Sequence, residues 1–530
     1  MTSTETDLEI GRLNPLDDRA AATGHTRSWM GLNRLAAAFS IYAALRIFLL
    51  ASVFPLFNNV DERLHLMSIQ MYAQGQWPGK ELPRMDPQLV RRYLAYWSPE
   101  YGRSASDLKE NRLEVPVYRL SDQERQRAYT GPIYAEKLED WLQKPNFEAQ
   151  GPPLYYVVAA AWYRLGAAAG LTDWRLLYWT RCLNAIIYGL FVWLSYNVVR
   201  KIYPAKTFLC VAVPGLIAVF PQDVFFGMNR DVLSPLVCAA ALFSMADALA
   251  DRKYRVVPLL LASLLTGLSF LVEVSNFVMF GALAATLWIW ARRPEALRRQ
   301  RVWVSAASAA AALFLPALWM VRNYLVIGDL TGGTAKVREL GWTVKPVGEM
   351  LHHPLFSWHG LYYFCVQLTE RFWRGEYGWH GLALRSASAD GFYVLSSALM
   401  MVIFVVDLWR TRKTLSAPHS WVKWQALFLV IGSVLFLAAV SLVFDYHNHG
   451  YPSRLYPYFV SGRIIIGVLL PFVLIYASGL ELILERFSKW VPPMWVLAGV
   501  MFFITASEIR VRSVVFSSPY SYFALSSWKR

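Results

Sequence analysis

The chain has 530 residues, of which 56% are hydrophobic and 17% charged, too little charge to clothe the surfaces of a soluble protein of this length. Its net charge of +15 sits in short clusters between apolar stretches, the positive-inside pattern of a membrane protein, so the charge argues for no nucleic-acid partner. Four cysteines (Cys182, Cys210, Cys238, Cys365) show no paired spacing and read as small buried apolar groups, not as a disulfide frame or metal clip.

Residues 1–35 are polar and mixed in charge, which predicts a loose cytoplasmic tail and not a cleavable signal peptide. Apolar segments close to the ~20 residues that cross a bilayer follow at 36–55, 178–199, 207–221, 232–250, 256–273, 275–291, 303–321, 391–409, 424–443, 464–484 and 491–508. Eleven spans with the N-terminus inside put five basic clusters on the cytoplasmic side: 12–34, 200–206, 252–255, 292–301 and 410–413. Arg486 and Lys489 form a weaker sixth. A further apolar segment, 154–170, breaks this alternation if counted as a span. It is expected to dip into the membrane from the outer side, giving 11 or 12 membrane helices. The same count gathers the long loop 56–153, the turn Asn229-Arg230-Asp231 and the loops 322–390 and 444–463 on the outer face. The expected fold is therefore an all-α polytopic membrane protein, with one transmembrane domain over 36–510 and a short extracytoplasmic tail over 511–530.

Ionisable side chains near lipid are costly and mark sites. Asp61 and Glu62 leave the first span together, with His65 close behind. A carboxylate there can take a proton from a hydroxyl or hold a metal; equally, Asp61 can cap a helix and Glu62 face water. Arg322 ends the seventh span and Arg463 enters the tenth from the same face. Each is either a phosphate clamp or an arginine reaching for lipid headgroups. Arg46, in the middle of the first span, needs a partner that the sequence does not name. Glu273 is either a further acid of the cavity or a carboxylate held inward by hydrogen bonds. The loop 322–390 is rich in aromatics, including Trp342, Trp358, Tyr377 and Trp379, which suit a membrane-interface belt better than a sugar platform. Its histidines (His352, His353, His359, His380), with His447 and His449, have no metal-ligand spacing.

Five motifs in chain order carry a family resemblance. They are Asp61-Glu62-Arg63-Leu64-His65, Gly151-Pro152-Pro153-Leu154-Tyr155-Tyr156, Arg181-Cys182-Leu183-Asn184, the run from Phe220-Pro221 to Asn229-Arg230-Asp231, and Ser461-Gly462-Arg463. Together they resemble the GT-C membrane glycosyltransferases. The nearest look is to protein mannosyltransferase and aminoarabinose transferase relatives and to a bacterial branch with an Asp-Glu-x-x-His first loop. Two departures stand out: Ile464 replaces a tyrosine, and Glu273 lies where the family often has a lysine that meets the lipid phosphate.

The resemblance implies a GT-C-like fold with a large first extracytoplasmic loop in a bacterial-type inner membrane. It implies an inverting hexosyl- or pentosyltransferase whose donor is a polyprenyl-phosphate sugar and whose acceptor is a lipid, polysaccharide or protein. Asp61, Glu62 and Asp231 are the expected catalytic acids. His65, Tyr155, Tyr156, Asn229, Arg230, Arg322 and Arg463 are the expected substrate contacts. No protein metal site is assigned, and a divalent cation is the one cofactor to consider. The competing readings are a transporter or flippase, against which stands the absence of evident inverted repeats, and a catalytically inactive assembly protein that keeps the fold.

Overall fold

Backbone amides in a bilayer core have no water to bond, so apolar stretches there close their hydrogen bonds internally, as helices. All eleven predicted stretches do so in the computed structural model, which describes residues 15–59, 61–110, 115–250, 255–292, 298–412, 417–447 and 451–523. The helices used below are α1 (Pro15–Val53), α2 (Glu62–Ala73), α3 (Leu154–Ala168), α4 (Asp173–Ile202), α5 (Thr207–Ala218), α6 (Ser234–Ala250), α7 (Val256–Val272) and α8 (Val278–Ala291). They continue with α9 (Arg298–Ile327), α10 (Gly333–Glu339), α11 (Trp358–Arg374), α12 (Ala387–Thr411), α13 (Ala417–Val443), α14 (Leu469–Phe487) and α15 (Pro493–Phe516). Among the described residues nine helices are long and apolar enough to cross a membrane, and α5 and α7 are shorter apolar helices. The chain is an all-α polytopic membrane protein.

The ends differ from expectation. The tail expected to be loose over 1–35 is helical from Pro15, and residues 1–14 lie outside the described residues. The tail expected over 511–530 continues α15 as far as Phe516, and 524–530 lie outside. Parts of the basic clusters, at 251–254, 293–297 and 413–416, and His449 also lie outside.

The span leading into α14 is 89% buried within the bundle and α15 only 17%, so α14 is the hub and α15 a peripheral helix with most of its surface left for lipid. Close helix approach rests on small residues. A Cβ at Gly189 of α4 would press on Ala44 and the Ser40 carbonyl of α1, and Ser40 Oγ donates to the Gly189 carbonyl at 2.6 Å. Arg46 finds its partner on the last helix: its Nε and Nη2 donate to Glu508 at 2.9 and 2.5 Å, and Nη2 also reaches the Phe220 carbonyl.

Three connections at one end of the bundle, α5 to α6, α7 to α8 and the entry to α14, leave regular helix. Short 3₁₀ turns at Asp223–Phe226, Arg230–Leu233, Val274–Phe277 and Gly462–Val468 meet there. Irregular backbone in a membrane protein is tolerated only where protein or a wet cavity covers it, and one of these turns, Gly462–Val468, lines the cavity described below with Arg463 and Ile464. The loops close over them. Asn146 Nδ2 donates to the Leu64 carbonyl and to Ser68, both at 3.0 Å, holding the end of the first loop on α2. A two-residue antiparallel ladder, Thr343–Val344 against Phe444–Asp445, ties the two later loops together.

Segment 154–170 forms α3, whose 15 residues extend about 22 Å, short of a hydrocarbon core of roughly 30 Å. It folds back on the start of α4, where Trp162 and Trp179 stack 4.2 Å apart and each indole N–H donates to the other's carbonyl, at 2.7 and 2.9 Å.

Candidate active site

Gly462 and Arg463 open the turn that feeds α14. A Cβ at position 462 would run into the backbone of Arg371 and Phe372, so glycine alone lets this turn pack against the end of α11. Arg463 donates from Nη1 to Asp231 Oδ2 at 3.0 Å and from Nη2 to Asp61 Oδ2 at 3.1 Å. One cation thereby joins the acid of the first loop to the acid after α5. Asp61 has φ +60° and ψ 7°, a left-handed backbone that costs a non-glycine residue about 1–2 kcal/mol. It stands at the capping position of α2 yet makes no capping bond, because its carboxylate is turned to Arg463. The helix-cap alternative is thereby removed.

Asp61, Lys336, Arg371, Glu376, Tyr451 and Arg463 line a cavity of about 170 Å³, with Phe147, Trp342 and Phe459 in its walls. Arg371 lies over the Tyr451 ring, 3.9 Å from the centroid. Lys336, on α10, pairs with Glu148; Glu148 also meets Arg230 Nη1 at 3.0 Å, and Arg230 Nε reaches Glu273 at 2.5 Å. Burial opposes ionisation of Glu148, but Lys336 and Arg230 outweigh it and hold its carboxyl well below the usual range. Glu273 is thus the inward-held partner of Arg230, and Lys336 brings an ammonium to the cavity lining.

The segment Gly375-Glu376-Tyr377 is fixed from below. Asp223 Oδ2 accepts from the Tyr377 amide at 2.7 Å. Gln222 Nε2 donates to the carbonyls of Arg371 and Phe372 at 2.9 and 2.8 Å. Gly375 has φ +88°, and a Cβ there would fall on the Asp223 carboxylate.

Several expected site residues lie elsewhere. Glu62 does not reach the cavity. Its two oxygens take Arg181 Nε and Nη2, both at 2.6 Å, and the amides of Phe57 and Met228 at 2.8 and 3.0 Å. Arg181 also donates to the carbonyls of Ala51, Phe54 and Pro55 at the end of α1. Adjacent residues at a helix start point in different directions, so Asp61 serves the cavity and Glu62 latches α1 to α4. Asp231 shares Arg463 with Asp61 but sits behind the guanidinium, outside the cavity lining. His65, Tyr155 and Tyr156 are sealed where α2 packs on α3. His65 Nδ1 lies 2.8 Å from the Tyr156 hydroxyl, and burial pushes its imidazole down to about 3. Asn229 caps its own turn by accepting the Asp231 amide at 2.9 Å. Arg230 is occupied by Glu148 and Glu273. Arg322 donates to the Pro78 carbonyl and to Asn323, tying α9 to the first loop away from the cavity.

The loop aromatics divide. Phe364, Phe372, Trp373, Tyr377 and Trp379 are core, whereas Trp358 and Tyr362 are exposed as an interface belt requires. Lys336, Arg371 and Glu376 were not singled out by sequence. The available signal is the run Arg371-Phe372-Trp373-Arg374-Gly375-Glu376, in which a charged pair flanks a glycine after an amphipathic helix.

The donor set does not fit a resident divalent cation. Arg463 takes an oxygen from each of Asp61 and Asp231, and among the described residues no three His, Cys, Asp or Glu side chains gather to hold a metal. What the cavity offers is cationic groups from Lys336, Arg371 and Arg463 beside the carboxylates of Asp61 and Glu376. That set can receive an anion and a hydroxyl side by side.

Residues 45–449, well over half of the chain, match the model of a family described as "Predicted membrane protein (DUF2142)". No curated protein matches the chain.

Proposed function

The chain belongs to the DUF2142 family of predicted membrane proteins, and we propose that it is a GT-C-type inverting glycosyltransferase. In this reading its donor is a polyprenyl-phosphate sugar and it works at the extracytoplasmic face of a bacterial-type cell membrane, with its N-terminus in the cytoplasm. The carrying observation is the 170 Å³ cavity in which Arg371, Lys336 and Arg463 face Asp61 and Glu376. In such a reaction the acceptor oxygen bonds to the anomeric carbon from the face opposite the phosphate. The bond from that carbon to the phosphate oxygen breaks, and its electron pair leaves with polyprenyl phosphate. The acceptor proton passes to a carboxylate. Fixed cations beside the leaving oxygen stabilise the charge that develops there, and a guanidinium matches a phosphate with two parallel N–H donors.

A neighbouring apolar groove supports a lipid donor. Leu368, Phe372, Met401, Val434, Ile465 and Phe472 are among the residues lining a volume of about 430 Å³ between α11, α12, α13 and α14. Phe372 and Ile465 each follow a cavity residue, Arg371 and Ile464. Groove and cavity therefore lie on the two sides of one contact, that of α11 with the Gly462–Val468 turn. A prenyl chain fits the first and its phosphate the second.

The test is an assay of purified protein in nanodiscs with radiolabelled undecaprenyl-phosphate hexoses and pentoses and a detergent extract of membranes as acceptor source. The reading expects transfer of one sugar class and release of undecaprenyl phosphate. Folded protein that neither binds nor consumes any of these donors removes it.

A further inference from the structure

We propose that Glu376, and not Asp61, is the group that takes the acceptor proton; this rests on the transferase reading above. Asp61 and Asp231 have each given an oxygen to Arg463. Glu376 differs. It lines the same cavity, and its Oε1 is buried with no hydrogen-bond donor among the described residues. Its charged neighbours stand off, Arg371 Nη1 at 3.9 Å from Oε1 and Arg463 Nε at 4.0 Å from Oε2. Arg463 Nε is itself buried without a hydrogen-bond partner among the described residues. A carboxylate oxygen shut away from water without a donor is in deficit until something supplies an O–H. A substrate hydroxyl entering the cavity does so, and as that oxygen bonds to the anomeric carbon its proton moves to Glu376.

The backbone is built to hold this one carboxylate. Gly375 takes φ +88° where no Cβ fits beside Asp223, and Asp223 grips the next amide, Tyr377 N, at 2.7 Å. Glu376 is thereby pinned between two anchored residues while its Oε1 is left without a donor among the described residues. Division of labour follows: Asp61 and Asp231 set Arg463, Arg371 and Lys336 meet the phosphate, and Glu376 handles the hydroxyl.

The experiment uses the full chain in nanodiscs, with undecaprenyl-phosphate sugars as donors and water or azide as acceptors. Azide is already an anion, so it attacks the anomeric carbon without giving up a proton. Glu376→Ala is expected to slow sugar release to water by about 10²- to 10⁴-fold while binding undecaprenyl phosphate within about twofold of wild type. Azide is expected to restore turnover as the glycosyl azide, and Glu376→Asp to recover part of the rate. Asp61→Ala is expected to gain nothing from azide. Wild-type release by Glu376→Ala overturns the proposal, as does a loss that azide leaves unchanged in protein that still binds undecaprenyl phosphate. If Glu376→Ala fails to fold, the same two outcomes are read from Glu376→Gln. A folded wild type inert toward every donor overturns the transferase reading itself, and the proposal with it.

Discussion

Arg463 is the residue on which the site turns, because it bonds two carboxylates from distant parts of the chain, Asp61 and Asp231. Replacing Asp61 by asparagine removes one of its anionic partners and one negative charge from the cavity. Asp61→Asn is therefore expected to slow transfer by about 10²-fold, the scale of losing a preorganised electrostatic partner, yet to bind undecaprenyl phosphate at least as tightly as wild type. Weaker binding would contradict that charge balance. Glu62 behaves differently, since it is locked to Arg181 inside the fold. Glu62→Gln leaves a buried guanidinium short of its counter-charge, and breaking such a pair costs about 3–5 kcal/mol. A clear fall in the detergent melting temperature is expected; unchanged melting with lost transfer would return Glu62 to the catalytic set. His65 gives a pH signature. Its folded value of about 3 lies below the ordinary 6.5, so the folded state keeps it neutral after the unfolded chain has protonated. Its contribution to stability is complete above pH 6.5 and is lost as pH falls from 6.5 towards 3, at no more than about 1.4 kcal/mol per pH unit. Melting curves across that window should steepen for wild type and flatten for His65→Gln.

At the scale of elements, hydropathy located the spans well because the bilayer imposes one length and one polarity on each of them. It also flagged Asp61 and Arg463, since charges at the ends of apolar segments stand out against their surroundings; Asp231 enters as an acid only through the family resemblance. It was silent on Lys336, Arg371 and Glu376. Those lie in a loop rich in charge and aromatics, where no periodicity distinguishes a side chain aimed at a cavity from one aimed at water. Arg322 misled for a related reason. Its position at the end of α9 suits a phosphate clamp, but Nη2 donates to the Pro78 carbonyl of the first loop and Nη1 to Asn323, away from the cavity lining. Glu62 misled because sequence adjacency says nothing of direction once Asp61 adopts a left-handed backbone. Topology is testable at this scale. In a background lacking the exposed native Cys365, Gln76→Cys and Gly348→Cys should react with a membrane-impermeant maleimide on intact cells, and Arg292→Cys and Arg412→Cys only after permeabilisation. External labelling at Arg292→Cys would reverse the orientation.

For the whole molecule, the breaks between helices explain why the site lies where it does. Four short 3₁₀ turns in three connections break regular backbone at the same end of the bundle, and the loops from both halves of the chain close over them. The turn that feeds the hub helix α14 delivers Arg463 there, α11 delivers Arg371, and the segment after α11 delivers Glu376. An apolar groove and a charged cavity on either side of one helix contact form a surface suited to a lipid with an anionic head. The most direct measurement is equilibrium binding of undecaprenyl phosphate and of its uncharged alcohol, undecaprenol, to wild type and to Arg371→Ala in nanodiscs. The phosphate is expected to bind wild type at least tenfold more tightly than the alcohol, and Arg371→Ala to erase most of that difference. Equal affinity for the two lipids, or a phosphate preference that survives Arg371→Ala, would contradict the account.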